Sequence, residues 1–407
     1  MTRNRTAAAA TLLALLLPLP LAAAGSAGAA VPAAATASAP AAASVFAADP
    51  AVGLTADRRQ VALELPRPTG RFPVGQEVLH LTDRSRVDPW AGSGPRELMV
   101  TMRYPARPGS GTPARYLRTE EAHRLLADRD LDQVISPETL AGTAVYAREG
   151  ARPRHGRYPL VVLSPGFGVP RATLTALAEE LASRGYVVAA VDHAYEASAA
   201  TFPGGRMLPC LACEKTEQTG DYRPVSDGRA KDVSFLLDRL TGHRPAWRHA
   251  ELIDRRRIAM AGHSIGGASA AATMAVDRRV RAGVDMDGSL MTPVPATGLG
   301  GRPFLLLGAA NTKPGDDVSW DRDWPLLDGW KRWITFAGSA HFTFTDFPAL
   351  ADQLGLPDPD APLPGARSVE LTRRYVTAFF DQHLKGRPQP ILDGPVADAP
   401  EVGFHSP

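Results

Sequence analysis

Apolar positions follow three successive rhythms along the chain. After Arg3 and Arg5 they form one run, Ala7 to Leu21, which then breaks into small residues. A basic start, a short apolar stretch and Ala-rich cleavage positions describe a secretory signal peptide over residues 1–30, too short to span a bilayer. Residues 31–50 carry almost nothing but Ala, Pro, Ser, Thr and Val and read as a flexible leader. A second rhythm, with a period of two, occupies residues 54–104. Gln60 to Leu65, Glu77 to Thr82 and Glu97 to Tyr104 each alternate as antiparallel strands do. Residues 105–157, rich in Arg, Pro and Gly with a helical patch at Thr119–Asp128, are expected to flank the core.

From Tyr158 the rhythm changes again. Short, mostly apolar runs alternate with amphipathic stretches of helical period: strands at Tyr158–Leu163, Tyr186–Val191, Ile258–Ala261, Val280–Met286, Pro303–Gly308 and Trp333–Phe336. Helices are predicted at Leu174–Arg184, Asp227–Leu240, after Gly267, and Ser368–Leu384. Strands without a polar face that alternate with helices mean a mostly parallel, doubly wound α/β sheet covered on both sides. The antiparallel N-terminal strands join its edge. Residues 51–390 thus form one domain, with a lid-like loop at 195–225 and a tail at 391–407.

Chemistry concentrates where these strands end. Gly262-His-Ser-Ile-Gly266 lies between an apolar strand and a small-residue helix, the context of a nucleophile elbow. A serine there sits on a strained turn, and the glycines make room for it. Ser264 is therefore the candidate nucleophile; His263, its neighbour, should point away from it as packing. Of ten histidines, His341 alone follows the last core strand, in Gly-Ser-Ala-His, and is the candidate base. Asp287 ends the strand after the elbow unit, next to Gly288, and is the candidate acid. Strand alternation turns Asp285 to the other face, where a satisfied polar group is expected. Backbone N–H groups of Ile265 and, from the loop Pro165-Gly-Phe-Gly168, of Phe167 are candidate oxyanion donors, since Pro165 has no N–H.

Composition narrows the setting. Without Arg3 and Arg5 the formal charge falls from +2 to zero, and no basic patch supports nucleic-acid binding. The only cysteines, Cys210 and Cys213, lack the further ligands zinc needs; in an exported chain they read as a local disulfide stiffening a loop. No metal or other cofactor is expected. The mature chain has no segment apolar enough to cross a bilayer, and its setting is extracellular.

Tyr-Pro-Leu-Val-Val-Leu-Ser-Pro-Gly-Phe-Gly, Leu-Ala-Ser-Arg-Gly-Tyr-Val-Val-Ala-Ala-Val-Asp-His, Gly-His-Ser-Ile-Gly-Gly, Asp287-Gly and Gly-Ser-Ala-His341 stand in this order. Together they resemble the plasma-type platelet-activating-factor acetylhydrolase family, and Leu-Pro-Arg-Pro-Thr-Gly, Val-Asp-Pro-Trp90 and Arg96-Glu-Leu-Met-Val are similar to its bacterial members. The resemblance, over about residues 60–385, implies an α/β-hydrolase fold and a secreted, calcium-independent serine esterase with a Ser264–His341–Asp287 triad. It also implies short or oxidised sn-2 acyl groups of phospholipids as substrates and transient contact with a lipid surface. Pro165, where the family often has His, and the Cys210–Cys213 insertion depart from the pattern near the acyl pocket. A cutinase-like lipase or polyester hydrolase would instead take its acid after the later strand, where Asp316 and Asp317 come somewhat late. A hydrolase-fold binding protein is the reading from a different class; such proteins usually lose a triad member.

Overall fold

The computed structural model describes residues 61–407. The signal peptide and leader expected at 1–50 lie outside the described residues. Antiparallel β1 (Val74–Val87) and β2 (Pro95–Pro105) come first, followed by β3 (Thr112–Pro113), α1 (Thr119–Ala127), α2 (Pro137–Ala141) and β4 (Ala147–Glu149). The core then runs β5 (Tyr158–Ser164), α3 (Thr175–Ser183), β6 (Val187–His193), β7 (Thr201–Phe202), β8 (Arg206–Met207), α4 (Leu211–Thr219) and α5 (Arg223–Thr241). After them come β9 (Ile253–His263), α6 (Ile265–Val276), β10 (Val280–Met286), β11 (Phe304–Gly308) and α7 (Val318–Asp323). The chain closes with β12 (Lys331–Phe336), α8 (Phe347–Leu354), α9 (Gly365–Lys385) and β13 (Val402–His405).

Eleven strands form one sheet in the order β13-β12-β11-β10-β9-β5-β6-β2-β1-β4-β3. The run from β12 to β6 is parallel; β2 joins β6, and β13 joins β12, antiparallel. Burial on both faces explains the apolar runs. Leu160, Val162, Ile258, Met260 and Leu306 enter one core beneath α5 and α6, whereas Val161, Leu163, Ala259, Val284 and Leu305 enter the other beneath α3 and α9. This is an α/β-hydrolase fold, and the central strands β5, β9 and β10 deliver their carboxyl ends to one edge.

Three expectations need correction. Gln60 lies outside the described residues, and the rest of the predicted strand through Leu65 contributes only a bridge from Glu64 to Ala144. Leu63 and Leu65 are buried against α1 and α2, so their alternation reflects packing beneath a flanking layer. The loop at 195–225 contains the β7–β8 hairpin and α4, where a Cys210–Cys213 disulfide forms the helix start. The tail at 391–407 includes β13, which caps the sheet by pairing Trp333 with His405 and Phe336 with Val402. Its short polar and apolar mixture gave no periodic signal because only one edge of it is paired. Among the described residues no helix is long and apolar enough to cross a membrane.

Candidate active site

Ser264 sits between β9 and α6 at φ 56° and ψ −129°, a conformation unfavourable for any L side chain. The surroundings hold it there. Its N–H donates to the Met286 carbonyl at 2.8 Å, and its own carbonyl receives Gly267 and Ala268 N–H groups at 2.8 and 3.1 Å. A Cβ on Gly262 would lie 2.1 Å from the Gly266 carbonyl carbon, and one on Gly266 would lie 2.1 Å from the Ser164 oxygen. Glycine is required at both positions for strand, turn and helix to approach this closely.

Asp287, at φ 60°, ends β10 on the same sheet edge. Its Oδ2 lies 2.7 Å from His341 Nδ1, while Oδ1 accepts the Ala309 N–H and the Thr312 hydroxyl, each at 2.7 Å. Burial opposes its charge, but the bond from His341, that ring's field and the two further donors hold the carboxyl below its ordinary pKa. The carboxylate thus fixes a proton on Nδ1 and leaves Nε2 as the acceptor. No hydrogen bond joins Ser264 Oγ to Nε2; such bonds often tighten only with substrate bound. The Gly308-to-Lys313 turn, which offered no acid in sequence, supplies Ala309 and Thr312 as the donors that fix Asp287. Asp316 and Asp317 instead accept turn and helix-cap N–H groups at Lys313, Ser319 and Trp320.

His263 is wholly buried and turned to the His341 backbone, with its Nε2–H donating to that carbonyl at 2.7 Å. Its ring lies 4.7 Å from the His341 ring and 5.4 Å from that of Phe342. Burial first, then the neighbouring His341, pushes its pKa down to about 3, so it stays neutral and serves as a spacer that sets the His341 turn.

Asp285 departs from expectation. It is wholly buried in a central strand; Oδ1 accepts the Gly288 N–H at 2.9 Å, but Oδ2 has no partner. Burial, then Asp287 and Asp317, raises its pKa well above the ordinary carboxyl value. The folded state therefore holds a proton that the unfolded state releases, so this group costs stability as pH rises through the ordinary carboxyl range. Asp285→Asn, a neutral group of the same shape, is expected to gain stability relative to the parent between pH 4 and 7. Paired thermal melts at those two pH values check it.

The candidate oxyanion loop, residues 165–168, rests on an ionic cluster that the sequence did not reveal. Ser164 Oγ lies 3.2 Å from His193 Nε2, and His193 Nδ1 lies 2.7 Å from Asp232 Oδ2. This resembles a second Ser–His–Asp chain, yet all three side chains are buried and the hydroxyl also receives Arg229 at 3.2 Å, which leaves no access for a substrate. Burial and the Arg229 charge lower the His193 pKa; burial also opposes the charge on Asp232, but Arg96 and His193 keep it ionised. Arg229 also donates to Glu196 Oε2 at 2.7 Å and to the Pro165 carbonyl at 2.5 Å, while the Glu196 carbonyl takes the Gly168 N–H at 3.0 Å. Arg96 ties Glu196 and Asp232 to Asp88. Both ends of the loop are thereby pinned, and among the described residues the N–H groups of Phe167 and Ile265 donate to no protein acceptor. The Phe167 ring packs edge-on against Tyr222 at 5.6 Å, and the Cys213 sulfur lies against Gly168. Arg229→Ala would leave Glu196 Oε2 without its buried donor while Oε1 keeps Arg96 and Trp90, and should lower unfolding free energy by about 3 kcal/mol in a denaturant titration.

The fold and the strand-end constellation define an α/β-hydrolase of the esterase type. Residues 126–205 and 247–356 match the family described as platelet-activating factor acetylhydrolase, isoform II. The chain is 31% identical over 379 residues to a probable 1-alkyl-2-acetylglycerophosphocholine esterase of Arthroderma benhamiae, covering 84% of this chain and 93% of that one. It is 28% identical over 215 residues to the platelet-activating factor acetylhydrolase of Cavia porcellus, with 47% of this chain and 49% of that one covered. The solved ferulic acid esterase from Streptomyces cinnamoneus superposes with a TM-score of 0.76 at 46% identity, over 85% of this chain and 100% of that one. The chain belongs to the platelet-activating factor acetylhydrolase isoform II family and is a carboxylic ester hydrolase.

Proposed function

We propose that the protein hydrolyses esters through an acyl-enzyme on Ser264. His341 Nε2 takes the hydroxyl proton as Oγ attacks the ester carbonyl, and the imidazolium is stabilised by Asp287. Negative charge developing on the carbonyl oxygen is received by the N–H groups of Ile265 and Phe167. Collapse of the tetrahedral intermediate expels the alcohol, which leaves with the proton from His341. Water, activated by the same base, then releases the acid and restores Ser264. The observation that carries this reading is the Asp287 carboxylate, bound on one oxygen by His341 and on the other by two fixed donors, beside the strained Ser264 turn.

The substrates proposed are short or oxidatively truncated acyl groups at the sn-2 position of phospholipids, met outside the cell at a lipid surface. Relatives named for acetylglycerophosphocholine esterase activity support this, as do Phe167 and Phe342 beside the site and the braced 195–225 segment. Feruloyl esters are the second reading, favoured by the 46% identity to the ferulic acid esterase. A hydrolysis panel of an sn-2 acetyl phospholipid, methyl ferulate, long-chain triglyceride and a polyester film separates them. Fastest turnover of the acetyl phospholipid is expected; preference for methyl ferulate would replace the first reading with the second, and preference for triglyceride or polyester would refute both.

A further inference from the structure

We infer that Arg129 receives an anionic group of the substrate at the mouth of the Ser264 site, an inference that rests on the esterase mechanism proposed above. Arg129 follows α1, and its guanidinium lies 5.0 Å from the ring centre of Phe342 and 5.1 Å from that of Phe347. Phe342 is the residue after His341, and its ring lies 5.4 Å from the imidazoles of both His341 and His263. One aromatic ring therefore separates the guanidinium from the catalytic base.

This half-buried arginine differs in its partners from three of the fully buried ones, whereas buried Arg103 also has a partnerless Nε and donates to the Thr175 hydroxyl. Arg96, Arg229 and Arg373 direct their N–H groups at carboxylates or backbone carbonyls. Arg129 Nε is buried with no hydrogen-bond partner, and among the described residues no carboxylate pairs with the guanidinium. The adjacent Asp128 turns instead to the Ser198 hydroxyl. A partly desolvated guanidinium without a carboxylate partner is unfavourable, and contact with two aromatic faces offsets only part of that. Arginine keeps its charge even so, and its planar fork fits a pair of anionic oxygens.

The ligand chemistry is thus a phosphate or carboxylate carried by the ester. Two sources provide it: the phosphodiester of a lipid headgroup, on the alcohol side, or a terminal carboxylate left on an oxidatively truncated acyl chain. Relative kcat/KM in two matched pairs distinguishes them. One pair is 1-alkyl-2-acetylglycerophosphocholine against 1-alkyl-2-acetylglycerol; the other is the p-nitrophenyl monoester of glutaric acid against p-nitrophenyl pentanoate.

Arg129→Met keeps an apolar stem on Phe342 and Phe347 and removes the charge. The anionic-to-neutral ratio should fall about 10- to 100-fold in the pair Arg129 serves, mainly through KM, the effect of one or two charge-assisted hydrogen bonds. Arg129→Lys should retain part of the ratio, and added salt should erode it in the parent but not in Arg129→Met. The pair affected identifies the source of the anion. If folded Arg129→Met and Arg129→Lys both keep the two ratios within about twofold of the parent, the inference is overturned. Ser264→Ala, measured alongside, separates the two levels. Residual turnover there would refute the mechanism, whereas a silent Ser264→Ala with unchanged Arg129 ratios refutes only the anion site.

Discussion

Ser264→Ala leaves the fold intact and lowers ester turnover by a factor on the order of 10⁶, as loss of a serine nucleophile does elsewhere. The expected size follows from what the substitution removes and what it spares. The attacking oxygen goes, and with it the route through a covalent intermediate. The Phe167 and Ile265 N–H groups, Asp287 and His341 stay in place, so the residual rate reflects oxyanion stabilisation and binding alone. Stability should change little or rise, because the positive φ at position 264 is imposed by the glycine-lined turn and is no better for serine than for alanine. Initial rates on p-nitrophenyl acetate together with thermal melts of both proteins check it.

Asp287→Asn should keep the shape of the site and cost on the order of 10⁴ in kcat. The Asp287 carboxylate accepts from three groups: His341 Nδ1–H, the Ala309 N–H and the Thr312 hydroxyl. An amide placed there has one acceptor oxygen. If that oxygen keeps Ala309 and Thr312, its NH2 faces Nδ1, and His341 is driven to the tautomer with the proton on Nε2, where it cannot accept from Ser264. A pH–rate profile and kcat for Asp287→Asn test this against Asp317→Asn. The latter keeps a capping oxygen for the Ser319 and Trp320 N–H groups and alters only the contact to Ser289 and the local charge, so its kcat should stay near the parent's. Near-normal kcat in Asp287→Asn with a silent Asp317→Asn would move the acid to the later strand, as in cutinase-like enzymes.

The central architecture could be read from the chain because β5, β11 and the Ile258–His263 end of β9 are buried on both faces, which leaves apolar runs that little else produces. The candidate positions Ser264 and His341 stand out in the sequence for a related reason: each follows such a run, and strand ends in this fold share one edge. Periodicity failed where one-sided contacts decide structure. Leu63 and Leu65 alternate like a strand, yet they pack beneath helices, and β13 lacks a pattern because a single neighbour holds it. The ionic cluster was illegible because its members, from Asp88 to Asp232, lie on different elements and meet only through tertiary packing. Asp285 shows the limit of alternation. Strand geometry turned it from the acid position, but could not tell that one oxygen would be left unpaired.

The most direct test of the account is to trap the acyl-enzyme. The purified protein is mixed with excess p-nitrophenyl acetate, quenched in acid before turnover is complete, digested and mapped by mass spectrometry. The prediction is a single acetyl group on Ser264, with a matching burst of nitrophenol that Ser264→Ala lacks. An acetyl group on Ser164, whose hydroxyl lies 3.2 Å from His193, or an acetylated site that persists in Ser264→Ala, would contradict it.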